Sequence, residues 1–315
     1  MLYQLVLPLK TAQCLTDLVY IQFGLLTYAT KSKFLLEISS ATTKEQQAQL
    51  RQQLINECAA CLDQHSLLHS GYGQQVAMAF FDASLTAITG RIELLKTFAK
   101  EYKKDNSHTR RYQKQAWLDR IQTEMLQLFP KANISYFTLT PFMDEDKTSP
   151  ASEWQKAAKE FFLYFYDNFL GSHDDHVPPA FLPSVPQDER QFGRQELIEL
   201  FHKDNPELEI CAMCDESKFY TRYLTSNDKK GKATVPMLKS HAILDHYLPK
   251  SQYPHLCCHP YNLIPVCYSC NSPIKGERNP IQGKRQTLYC AALPYRGIDL
   301  SKKTYLQVDL YPQQD

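Results

Sequence analysis

Two Cys-x-x-Cys pairs, Cys211 with Cys214 and Cys267 with Cys270, stand 52 residues apart in the second half of a 315-residue chain. Each pair makes a knuckle that presents two sulfurs, and two knuckles complete the closed four-thiolate shell that Zn2+ prefers in a structural role. The chain between them is therefore expected to close around one ion, whose binding contributes on the order of 10 kcal/mol to folding. The amino terminus lacks the basic, apolar, small-residue succession of a secretory signal. A reducing cytoplasm is thus the expected compartment, and free thiols or metal ligands the expected state of the ten cysteines. The remaining six do not form a second set. Cys58 and Cys61 share the spacing but fall in a helical pattern, Cys257 and Cys258 are adjacent, and Cys14 and Cys290 are isolated.

Length and an apolar content of 43% allow one substantial core and a smaller one. Residues 1–175 read as a helical domain, because apolar residues recur at three- and four-residue intervals with few interior prolines. Thr42 with Glu45 reads as a capping box ahead of a helix that runs to Leu68, with Gly71 and Gly73 as stop signals. A second pattern runs from Gln74 to about Lys104 and resumes through Trp117 and Leu128; a third opens at Ser152 and ends at Gly171. The apolar run Leu18 to Ala29 is about twelve residues, short of the roughly twenty that a membrane span needs. Four prolines between residues 178 and 186 forbid a continuous helix. Residues 176–204 accordingly read as a linker with a short helix from about Arg194. Residues 205–285 read as a second domain, and 286–315 as a tail that packs back as short strands.

The net charge of +1 conceals an asymmetry: residues 210–285 hold eleven Lys/Arg against five Asp/Glu. A segment of that charge suits a polyanionic partner. Between the cysteine pairs lie Asp245-His246-Tyr-Leu-Pro249-Lys250-Ser251, then Asn262-Leu263, and Asn271 directly follows Cys270. These residues, in this order, resemble the HNH, or His-Me finger, endonucleases over roughly residues 205–285. The resemblance implies a two-stranded hairpin and a helix around one metal ion: a strand through Ile243 and Leu244, a strand through Ile264 and Val266, and a helix after Asn271. The expected fold class is therefore a mainly α domain followed by a small α+β ββα-metal domain with a four-cysteine zinc site. It further implies that Asn262 braces the loop and fixes the His246 ring, and that Asp245 and Asn271 coordinate the ion. DNA would be cut to leave 5′-phosphate and 3′-hydroxyl ends.

The chemistry asks for the same parts. A water that attacks phosphorus must lose its proton, and an imidazole that titrates near neutrality can take it, which is the role expected of His246. Developing charge on the phosphorane and leaving oxygen is best met by a hard cation with oxygen ligands. The amide at Asn271, where many family members have His, favours Mg2+ or Mn2+ over softer ions. Lys250 and Lys275 are expected phosphate contacts, although Lys275 lies four residues after Asn271 where the family pattern has three. His255 and His259 are expected as solvent-facing loop residues, and His241 as a surface or supporting residue. RNA presents the same phosphodiester as DNA. The competing expectation is a non-catalytic zinc-knuckle module that grips nucleic acid by charge alone. The arrangement is also similar to HNH subunits of bacterial anti-phage systems, which implies a partner-docking or regulatory role for the helical part. Since the chain has no phosphate-binding Gly-rich loop of its own, nucleotide control would come from a separate ATPase subunit.

Overall fold

Helix α1 (Leu9–Lys31) follows Pro8 and is apolar around most of its circumference. It is buried accordingly, with Leu15, Leu18, Ile21, Leu25 and Leu26 closed to solvent. A helix of that kind belongs at the centre of a core, not on a surface. The computed structural model describes residues 5–37, 43–64, 72–81, 90–97, 100, 153–171, 177–206, 211, 214, 220–224, 236–240 and 242–275. The helix expected through Trp117 and Leu128, His241 and the tail 286–315 lie outside them.

After the short α2 (Phe34–Glu37), helix α3 (Lys44–Gln64) is opened by a capping box one residue later than expected. Thr43 Oγ1 accepts from the Gln46 amide at 3.2 Å, and Gln46 Oε1 accepts from the Thr43 amide at 3.2 Å. Its buried face is Leu54, Ile55, Cys58, Ala59 and Leu62, so Cys58 is a core thiol, as its helical setting implied. Glu57 ties this helix to the end of α1 by accepting from Tyr28 Oη and Ser32 Oγ. Gly73 does not stop a helix; it begins α4 (Gly73–Phe80). A Cβ there would meet Asp63 Oδ1 and stand 2.7 Å from the Ala59 carbonyl oxygen, so only glycine lets α4 start against α3. Residues 90–97 are again helical.

Helix α5 (Glu153–Tyr164) ends in a wider π turn, Phe165–Phe169. Its rings dominate the core. Phe165 lies 6.2 Å from Phe80, 5.4 Å from Phe161, 5.3 Å from Phe169 and 6.3 Å from Phe181, centre to centre. Such edge-on and offset contacts add to the area that aromatic burial removes from water.

The stretch expected as a linker is packed. Ser184 donates to the buried Asp17 carboxylate through its amide at 2.8 Å and its hydroxyl at 2.6 Å. Phe181, Leu182 and Phe192 are fully buried. Helix α6 (Arg194–Asp204) follows, and the Asn205 side chain beyond it bonds to both backbone groups of Val6, 199 residues away. One apolar cluster joins Leu5 to Cys270 through the helices and the strands alike. The proline-rich segment therefore forms part of a shared core.

Two small antiparallel sheets complete the described residues. Strands β1 (Tyr220–Leu224) and β2 (Pro236–Ser240) form a hairpin that the sequence reading missed. Strands β3 (Ile243–His246) and β4 (Leu263–Val266) pair where strands were expected, with Asp245 opposite Ile264 and His246 opposite Leu263. A two-stranded sheet leaves room for Pro265, whose missing donor a central strand would not tolerate. Beyond β4 the chain turns into a π-helical segment, Cys270–Lys275, so Asn271 lies inside the helical turn and not before it.

Candidate functional site

The four cysteines singled out by spacing come together. Their sulfurs all lie within 4.8 Å of one another. Cys214 Sγ and Cys267 Sγ are 3.7 Å apart, close to the edge of about 3.8 Å in a tetrahedron built on 2.3 Å zinc–sulfur bonds. Backbone amides support the sulfurs: Cys267 N donates to Cys211 Sγ at 3.3 Å and Cys270 N to Cys267 Sγ at 3.4 Å. Such donors stabilise thiolates at metal sites. Burial first, then hydrogen bonds to the neighbouring thiols, push the Cys270 thiol up. Four thiols crowded this closely cannot ionise together without a cation, so the donor set fits Zn2+. The cluster sits where β4 ends, and it anchors the turn that bears Asn271 and Lys275.

The same turn also borders a cleft of about 320 Å3. Its lining includes Asp245, His246, Asn271, Lys250 and Lys275, together with Tyr166, Asp167 and Arg194 from the helical half. Strand β3 delivers Asp245 and His246 at its end, and the loop from Tyr247 returns to β4 through Asn262. That side chain is the loop's staple. Its Oδ1 accepts from the Leu248 amide at 2.7 Å, and its Nδ2 donates to the carbonyls of Leu248 and Leu256 at 3.1 Å each. Asn262 thus braces the loop, as expected, but among the described residues it does not hold the imidazole.

The His246 ring is held by other groups. Its Nε2 lies 3.0 Å from the Cys257 carbonyl oxygen. A carbonyl only accepts, so Nε2 bears the hydrogen and Nδ1 bears the lone pair. The Tyr166 ring packs edge-on against the imidazole at 4.4 Å. Burial lowers the His246 pKa to about 3; the Cys257 bond opposes that shift, and the fields of Lys250, Lys275 and Arg194 add to it. The ring is neutral at physiological pH and its proton-accepting nitrogen is fixed.

Asp245 is buried beside Lys275. The ammonium Nζ lies 2.8 Å from Asp245 Oδ2, with side-chain exposures of 9% and 8%, and also donates to the His246 carbonyl. Burial raises the Asp245 pKa, and Lys275 works against that rise. The wider π turn takes up the additional residue between Asn271 and Lys275, which is how a lysine four places on still reaches back to β3. Asp245 and the Asn271 amide both line the cleft with oxygen donors, a type of donor that suits Mg2+ or Mn2+.

Both lysines expected to meet phosphate already hold a carboxylate. Lys250 Nζ is 3.1 Å from Asp167 Oδ1 and 5.0 Å from the centre of the Tyr166 ring. Arg194, which the sequence marked only as a helix start, lies over the same ring at 4.6 Å. Two further expectations fail: His255 and His259 are buried, not solvent-facing. The Pro-rich turns Pro254–Leu256 and Pro260–Asn262 fold the loop inward and carry both rings with it. Among the described residues, no helix is long and apolar enough to cross a membrane. No protein-family model, no curated protein and no solved structure matches this chain.

Proposed function

We propose that this chain is a metal-dependent nuclease of the HNH type that hydrolyses phosphodiester bonds in DNA. One observation carries the reading: a neutral imidazole with a fixed acceptor nitrogen shares a single cleft with Asp245, Asn271 and three cations, backed by a four-cysteine cluster. In this reading Nδ1 of His246 takes the proton of the attacking water. An imidazole with so low a pKa is a weak base, but the negative charge of an arriving phosphodiester favours the imidazolium and raises that pKa on binding. Tyr166 and the Cys257 carbonyl prevent the ring from turning. Asn262 holds the loop that supplies the Cys257 carbonyl, and so acts on the imidazole at one remove. Asp245 and Asn271 would hold the hard ion, which supplies charge stabilisation for the phosphorane and the leaving oxygen when bound. The cysteine cluster would hold Zn2+ in a structural role.

The test is incubation of plasmid DNA with Mg2+, Mn2+ or EDTA, for wild type beside His246→Ala. Cutting that needs the ion and vanishes in the variant, with zinc content unchanged, is the expected result. Salt-sensitive binding without turnover in any divalent ion would instead establish a zinc-knuckle binding module. The same likeness extends to a role in bacterial anti-phage defence, with the helical half docking a separate ATPase. Co-purification with the product of a neighbouring gene tests that extension.

A further inference from the structure

Three cations and two carboxylates line the cleft. Lys250 is matched by Asp167, and Lys275 by Asp245. That pairing leaves Arg194 as the cation with no carboxylate partner among the described residues. Its Nε is closed to water and has no acceptor. A buried donor without a partner is an expensive arrangement unless something arrives to satisfy it. The central carbon of the guanidinium lies over Tyr166, 4.6 Å from the ring centre, and the same ring lies 4.4 Å from His246. A cation over an aromatic ring is attracted by the ring without that contact supplying an acceptor oxygen, so Nε still lacks one.

We propose that Arg194 is the phosphate-binding residue of the cleft, its N–H fork taking the phosphodiester oxygens beside His246. The identity of the anion rests on the nuclease reading above. A planar fork matches two phosphate oxygens at once, and a guanidinium is more weakly hydrated than an ammonium, so it gives up water more readily. Either lysine would first have to leave its carboxylate, and for Lys275 that carboxylate is buried. Arg194 comes from α6 and Tyr166 from the end of α5, so the substrate-facing wall is built by segments outside the stretch that resembles the nuclease family. The helical half is then part of the substrate site.

The test uses the full chain carrying zinc, with His246→Ala in the background so that substrate survives, and a labelled DNA oligonucleotide titrated across a range of NaCl concentrations. Adding Arg194→Gln should weaken binding about tenfold or more. It should also reduce the slope of log affinity against log salt by about one. Arg194→Lys should keep the slope, because it keeps the charge and the contact with Tyr166, while losing part of the affinity. Unchanged affinity and slope in Arg194→Gln would overturn the assignment. So would an Arg194→Lys variant that loses the slope as fully as Arg194→Gln, since that pattern belongs to packing against Tyr166. Failure of the nuclease reading shows elsewhere: the wild type would cut no plasmid in any divalent ion, whatever Arg194 does to the salt slope.

Discussion

His259 offers a measurement of how the loop is built. It caps the turn Pro260–Asn262, with Nδ1 accepting from the Tyr261 amide at 3.3 Å, and it is 1% exposed. Burial, assisted by His255, lowers its pKa from 6.5 to about 3. The folded chain keeps this ring neutral where the unfolded chain takes up a proton. Its contribution is therefore intact above pH 6.5 and is lost progressively as the pH falls from there towards 3. Each unit is worth about 1.4 kcal/mol, so at pH 5 the wild type forfeits about 2 kcal/mol at this one position. His259→Asn keeps a side-chain acceptor for the capped amide and removes the titration. The smaller side chain leaves a cavity, but that loss does not vary with pH. Urea unfolding followed by circular dichroism at a series of pH values gives the difference between variant and wild type. That difference should move by about 2 kcal/mol in favour of the variant between pH 7.5 and pH 5. An offset that stays constant across this range would show that His259 is not held neutral, and would refute the buried placement of the loop.

Asn262→Ala leaves three backbone groups of the loop without their partner; it should cost about 2–4 kcal/mol in urea unfolding and abolish cutting while zinc stays bound. Lys275→Met strands a buried carboxylate and should destabilise the fold by about 3–5 kcal/mol, most of which Asp245→Asn in the same chain should restore; a single variant as stable as wild type would show that the pair is solvated. Atomic absorption should find one zinc per chain, and removal by a strong chelator should lower the melting temperature and melt the turn that follows β4, read by near-ultraviolet circular dichroism.

Short-range spacing made the cysteine cluster legible, because each pair lies on one knuckle, and the resemblance to a known family pointed to the β3 and β4 strands and to the Asp245–His246 pair, because its motif is carried by a short run of sequence. The walls of the cleft were not legible. Tyr166 falls within the helical pattern that opens at Ser152, but nothing local states what its ring meets, and its contact with His246 spans eighty positions of chain. The Cys257 carbonyl carries no signature at all, since every residue has one. Lys250 and Lys275 read as free charges because a carboxylate supplied by Asp167, 83 residues upstream, or one reached only through a π turn, leaves no trace in spacing. The β1–β2 hairpin was missed for a related reason: eleven residues separate its strands, too many for a tight-turn signal to link them.

The packing of the proline-rich segment bears on how this protein can be dissected in the laboratory. An expression fragment starting at residue 205 keeps every residue that the motif recognises. It also discards Phe162, whose carbonyl accepts from Cys257 Sγ at 3.0 Å, along with Tyr166 and Arg194. Such a fragment would present to water the apolar surface that α5 now covers, and its imidazole would lose the ring that keeps it still. Inactivity or aggregation of that piece would report on where the cut was made, and the smallest unit worth assaying begins with the helices.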